Sequence, residues 1–133
     1  MKVIALVENT SISKDYKSKH GLCLYIETKK HKLLFDLGSN SLFLENAVKL
    51  GVDITDIDSV IISHGHNDHG GALKYFLENN AKANIYISRY AFEEYYANFL
   101  GMKWNVGLDR KLKDHPRIIL IEDEYVIYKY FPI

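Results

Sequence analysis

A chain of 133 residues and 15.4 kDa has room for one ordinary domain with a modest hydrophobic core. Its 17 Lys and Arg balance 17 Asp and Glu, with a pI near 7.0, which argues against a broad basic face for nucleic acid and against an acidic tail. With 47% apolar and 26% charged residues, two prolines and a mean hydropathy of -0.17, the composition is that of a soluble globular protein.

Met1-Lys2-Val3-Ile4 lacks the long apolar core and cleavage site of a signal peptide, and the longest apolar runs fall far short of the ~20 residues that span a bilayer. A cytoplasmic protein without membrane contact is expected. Lys2 to Glu8 is β-prone, and the polar stretch Asn9 to Lys19 reads as an exposed loop. Leu22 to Thr28 and Lys32 to Asp36 are β-prone runs joined by Lys29-Lys30-His31, a spacing that predicts a hairpin. Cys23, the only cysteine, reads as a small buried hydrophobe; a disulfide or thiolate cluster within the chain is impossible, so a metal must use His and carboxylates.

Leu42, Phe43, Ala47 and Leu50 fall at helical spacing, with Ser39 or Ser41 to cap the helix and Gly51 to end it. Ser59 to Ser63 is a nearly all-apolar strand that suits burial on both faces by flanking helices. The reading continues with Ala72 to Glu78 as helix, Ala83 to Ser88 as strand, Tyr90 to Phe99 as an aromatic-rich helix and Arg117 to Ile121 as strand. Strands alternating with helices predict an α/β or layered α+β sheet in one unit. Tyr125 to Ile133 is an apolar, aromatic β-prone run; left at an edge it would be an association hazard, so a second chain or a continuation of the fold is expected to cover it.

Half of the six histidines fall in Ser63-His64-Gly65-His66-Asn67-Asp68-His69-Gly70-Gly71. Residues two apart in extended chain point the same way, so His64 and His66 can present two imidazoles to one cation while Asp68 and His69 turn to a neighbouring one. Gly65, Gly70 and Gly71 fit because they let the backbone approach a metal closely and take positive φ where a side chain would clash. Imidazole with carboxylate suits zinc, iron or manganese. Such ions ionise bound water to hydroxide near neutral pH and polarise carbonyl or phosphoryl oxygens, and Asp68 could bind metal and orient that nucleophile.

These residues resemble the H-x-H-x-D-H signature of the metallo-β-lactamase superfamily, matched at His64, His66, Asp68 and His69. Leu33-Leu34-Phe35-Asp36-Leu37-Gly38 is similar to the element that precedes the signature there, which implies that Asp36 steadies the metal ligands. Leu6-Val7-Glu8-Asn9-Thr10 and His20-Gly21-Leu22 resemble the branch containing dihydropterin ribofuranosylaminobenzene-phosphate synthase. The resemblance implies the first half of a four-layer αββα sandwich, and a hydrolase of esters, amides or phosphoesters. A pterin-type transferase and a non-catalytic half-domain are the alternatives. The family's later half supplies two further His and a bridging Asp, without a recognisable counterpart here. Completion would come from His20, His31 or His115, from a second chain in a homo-oligomer, or from a missing C-terminal half.

His20, in the Asn9 to Gly21 loop, is a candidate substrate contact. His31, in a Lys-rich turn, and His115, before Pro116, read as surface residues. Lys14, Lys17, Lys19, Lys29, Lys30 and Lys32 could help hold a phosphate-bearing small molecule, although solvated loops explain them more simply. Tyr75, Tyr90, Tyr95 and Tyr96 read as core or interface before they read as a pocket for a flat ring, and Trp104 as packing or a substrate lid.

Overall fold

The computed structural model describes residues 1–8, 21–93, 96–99, 102–105, 107–123 and 125–128. Among these, β1 (Lys2–Val7), β2 (Cys23–Glu27), β3 (Lys32–Phe35), β4 (Ser59–Ile62), β5 (Asn84–Ser88) and β8 (Ile118–Ile121) form a mixed sheet in the order β1-β2-β3-β4-β5-β8. β1 through β3 run antiparallel; β3, β4, β5 and β8 run parallel. The helices α1 (Leu42–Leu50) and α3 (Leu73–Asn79) lie in the crossovers, with the single turn α2 (Asn67–Gly70) between β4 and α3.

Register explains the layers. Tyr25, Leu34, Val60, Ile85 and Ile118 stand in one row across five strands, and with Phe43 and Ala47 of α1 and Leu73 and Phe76 of α3 they make one core. Both helices therefore cover the same face, as the amphipathic spacing requires. The opposite row carries Ile26, Leu33, Phe35 and Ile61 and is lined by Tyr125 to Tyr128. The expected double helical cover of β4 is thus half right: one face meets helices, the other this terminal segment. One sheet with one helical layer is the layered α+β arrangement expected of half a four-layer sandwich.

The β2–β3 turn closes without Asn-Gly because Thr28 replaces it. Its N–H donates to the His31 carbonyl at 2.9 Å, and its Oγ1 accepts from the His31 N–H at 3.1 Å. α1 starts differently from the expectation: Asn40 Oδ1 accepts from the Leu42 N–H at 3.1 Å, whereas Ser41 makes no capping bond and Ser39 Oγ is buried without a partner. Gly51 ends the helix at φ 72°, donating to the carbonyls of the last turn.

Two expectations fail. Tyr90 to Phe99 is not a helix: a 3-10 turn (Arg89–Phe92) is followed by β6 (Tyr96–Phe99), which pairs antiparallel with β7 (Met102–Asn105). Aromatic residues favour pleated strands, and two residues including Gly101 between paired runs are a hairpin signal that outweighs the helical spacing. Tyr125 to Tyr128 is not a strand; it crosses the sheet face, with the Tyr128 hydroxyl 2.7 Å from Ser59 Oγ. Residues 129–133 and the expected loop Asn9 to Lys19 lie outside the described residues. No helix among those described is long and apolar enough to cross a membrane.

Candidate metal centre

The chain leaves the sheet at the carboxyl ends of β3 and β4. Asp36 follows β3 at φ 57°, a left-handed conformation that Asp tolerates better than most residues, and its side chain is fully buried. Its N–H still donates to Ile61 O at 2.8 Å. The next donor on β4, the Ser63 N–H, is taken by the Asp36 carboxylate itself, Oδ1 accepting at 2.7 Å. Oδ2 accepts from Ser63 Oγ at 2.6 Å and lies 2.8 Å from His69 Nδ1.

This network sets the imidazole tautomers. A carboxylate only accepts, so the contact with Oδ2 puts the His69 proton on Nδ1 and its lone pair on Nε2. Ser63 has one hydroxyl proton and gives it to Asp36. Its 2.8 Å contact with His64 Nδ1 therefore makes Ser63 the acceptor, and His64 too carries its proton on Nδ1. Ser63 was not singled out from sequence; its signal was a hydroxyl directly preceding the first histidine.

The ring of His64 lies 4.2 Å from that of His69 and 4.9 Å from that of His66, centroid to centroid. The backbone holds them there: His69 O accepts from Leu37 N–H at 2.7 Å, His66 O from the His69 and Gly70 N–H groups, and His66 bridges to Gly107. Gly70 and Gly71 are needed for space. A Cβ on Gly70 would lie 2.9 Å from Leu108 Cδ2, and one on Gly71 would collide with Asn67, whereas neither residue has positive φ, contrary to the sequence expectation.

Asp68 lies in α2, its side chain outside what the structure describes, as is all of His20. His31 is not the exposed residue expected; it stacks on Tyr128 with centroids 3.7 Å apart. His115 closes a 3-10 turn, its Nδ1 accepting from the Arg117 N–H at 3.1 Å. Trp104 sits in β7, opposite Ala97. Cys23 is fully buried, and burial, with the Asp36 charge adding to it, pushes its thiol far above the ordinary range. Lys32 is committed to Asp56 at 2.5 Å and Lys82 to the same carboxylate at 3.2 Å.

A model of the metallo-beta-lactamase superfamily matches residues 19–125. The chain belongs to that superfamily. It is 33% identical over 129 residues to the uncharacterized protein MJ0448 of Methanocaldococcus jannaschii, a match covering 93% of this chain and 48% of that protein. It superposes with a TM-score of 0.67 and 26% identity on Tm1679, a metal-dependent hydrolase of the beta-lactamase superfamily, over 92% of this chain and 42% of that one. The subclass B3 metallo-beta-lactamase MEM-A1, from a soil metagenome library, shares the fold at a TM-score of 0.57 and 16% identity, over 80% of this chain and 42% of that one. The chain spans about half the length of MJ0448 and less than half of Tm1679.

For a metallo-beta-lactamase superfamily chain, the described donors fit a divalent metal in chemistry: clustered imidazoles, two with Nε2 lone pairs, one anchored by a buried carboxylate. They do not by themselves close a coordination sphere, because among the described residues no group of three His, Cys, Asp or Glu is arranged to hold an ion.

Proposed function

We propose that this chain forms the metal-binding part of a metal-dependent hydrolase acting on a small ester, amide or phosphoester. The observation that supports it best is the network from buried Asp36 to His69 and, through Ser63, to His64, which gives both imidazoles the tautomer a ligand needs. His64 and His66 would hold one ion and Asp68 and His69 a second, zinc being preferred with iron or manganese as alternatives. Such an ion supplies ionised water near neutral pH and polarises the substrate's carbonyl or phosphoryl oxygen. Asp68 is the residue assigned to hold and orient the proton of the reacting water, and Asp36 and Ser63 fix the rings. The remaining donors come from residues outside those described or from a second chain. The finer placement beside dihydropterin ribofuranosylaminobenzene-phosphate synthase rests on Leu6 to Thr10 and His20-Gly21-Leu22; a transferase of that kind would release pyrophosphate from a pterin diphosphate only with an aryl amine present.

The test is the metal content of the purified chain by elemental analysis, in the wild type and in His66→Ala and Asp68→Ala, with circular dichroism to verify the fold. One or two equivalents in the wild type, lost in both folded variants, is the expected result. Unchanged metal in both variants refutes the proposal.

A further inference from the structure

The six-stranded sheet has a second apolar face. Register carries one row across all of its strands, Ala5, Leu24, Phe35, Ile61, Tyr86 and Ile119, on the side away from the core that α1 and α3 cover. None of these residues is charged. A sheet face left to water carries polar side chains, so this row is built to be covered. Among the described residues it is crossed by Tyr125 to Tyr128, and a cleft of about 380 Å³ remains between that segment and Ile26, Leu33, Phe35 and Ile61. The cover is loose. Tyr125 and Val126 are 54% and 78% exposed, Ala5 is exposed, and Leu24 and Ile119 are half-buried. Tyr125 tilts on Tyr86, and Tyr128 stacks on His31 with its hydroxyl on Ser59. These contacts are local and can be exchanged for a larger surface.

Size, charge and position indicate what that surface is. Six strands about 4.8 Å apart and about five residues long, at about 3.3 Å each, make a face of about 500 Å² taken as a plane. Side-chain relief brings this toward the roughly 600–1,000 Å² per partner of a specific interface, provided the whole face is used. A helix about 10 Å wide would cover only a part of it, whereas a second sheet matches it. The chain has no net charge, so two copies do not repel, and the row can meet itself without burying a charge. β3 and β4, whose carboxyl ends carry the histidine cluster, are the central pair of the sheet and run parallel. A two-fold axis parallel to the strands therefore lays β3 of one copy over β4 of the other across the roughly 10 Å between packed sheets, with both clusters at the same end. The described donors of one copy do not close a coordination sphere alone.

We propose that this face binds a second copy of the chain, sheet on sheet about that axis, in place of Tyr125 to Tyr128, and that the paired clusters complete each other's metal coordination. The inference deepens the hydrolase reading and rests on it for the last clause.

The experiment is analytical ultracentrifugation of the full chain, as purified and with its metal content measured, over a wide range of concentration. A monomer–dimer equilibrium is expected. Ala5→Lys and Leu24→Lys should weaken the dimer about a hundredfold or more, because the two-fold buries each unpaired charge twice. Ala5 is exposed in the single chain, so its variant keeps the monomer fold by circular dichroism even where Leu24→Lys does not. Val48→Lys, at a residue 83% exposed on α1 in the other layer, should change nothing. Tyr128→Ala, which frees the covering segment, should tighten the dimer, and metal per chain should fall with the dimer in Ala5→Lys. A monomer at every concentration, or a dimer indifferent to both lysines, overturns the proposal and leaves the hydrolase reading standing where metal is bound. A dimer weakened by Tyr128→Ala refutes the exchange of the segment for a second sheet. Metal retained by the Ala5→Lys monomer refutes the shared coordination, and a lysine-sensitive dimer that never holds metal refutes the hydrolase reading and keeps the interface.

Discussion

Replacing Asp36 separates three roles that one side chain combines. Asp36→Ala deletes a buried acceptor of two hydrogen bonds from Ser63 and one from His69. The Ser63 hydroxyl and the His69 ring reach solvent and can be rehydrated; the Ser63 N–H is the donor left stranded. Removing the acceptor of such hydrogen bonds and leaving one donor unsatisfied costs about 1–3 kcal/mol. Alanine at φ 57° adds about 1–2 kcal/mol of left-handed strain. Glycine avoids that strain but has greater unfolded-state freedom, worth about 0.5–1 kcal/mol, so Asp36→Gly should be the more stable by roughly 0.5–1 kcal/mol. Asp36→Asn keeps the Ser63 N–H satisfied and tolerates the backbone, so its stability loss should be about 1–3 kcal/mol. Its amide, however, turns a donor toward His69 Nδ1. That nitrogen must then accept, its proton moves to Nε2, and metal affinity should fall about 10- to 100-fold. Urea unfolding ranks the three variants, chelator competition reads affinity, and nitrogen NMR of the imidazoles reads the tautomer. Asp36→Asn binding metal as tightly as wild type refutes the tautomer argument, and Asp36→Ala as stable as Asp36→Gly refutes the strain argument.

Gly70→Ala places a methyl 2.9 Å from Leu108 Cδ2 and 3.2 Å from Ile62 Cγ2 in a closed part of the core; overpacking should cost about 1–3 kcal/mol, read from the urea midpoint. Asp56 is held below the usual carboxylate range by hydrogen bonds to Lys32 and Lys82, and both lysines are raised by it. The Asp56 contribution is therefore full above its ordinary pKa and lost as pH falls through the lower folded value; those of the lysines are full below their ordinary pKa and lost as pH rises through the higher folded values. The stability difference between wild type and Asp56→Asn should be flat at neutral pH, shrink at both extremes, and diminish in salt; a difference that grows in acid refutes it. Cys23 should stay unreactive toward a disulfide reagent until the chain unfolds, because burial and Asp36 suppress its thiolate; rapid native labelling contradicts this.

Strands and helices with a clear period were legible. Leu42, Phe43 and Ala47 point to one side of α1, so its buried face could be written from sequence, whereas Leu33-Leu34-Phe35 is apolar on both faces of β3 and does not say which of them meets the helices. Tyr90 to Phe99 was not, because aromatic residues at helical spacing also satisfy a twisted hairpin, and the pairing partner at Met102 to Asn105 lies beyond the window that periodicity samples. The histidine cluster was visible because ligand spacing is local. The role of Ser63 depends on which atom of Asp36 meets which strand, and the apolar row from Ala5 to Ile119 depends on the register of all six strands; neither is encoded in any contiguous stretch.

The point where β3 and β4 stop pairing is also the point where the site begins, and one carboxylate accounts for both. A parallel ladder must end with each buried N–H satisfied. At Asp36 the left-handed turn swings the side chain back to accept the Ser63 N–H, so the ladder ends on a carboxylate instead of a carbonyl. The difference is consequential, because a carbonyl there would offer one oxygen, whereas the carboxylate has a second, and that oxygen takes Ser63 Oγ and faces His69 Nδ1. Strand termination and ring orientation are thus a single arrangement. Any variant that restores an ordinary strand end at Asp36, by removing the side chain or its left-handed turn, should release the imidazoles together with the ladder.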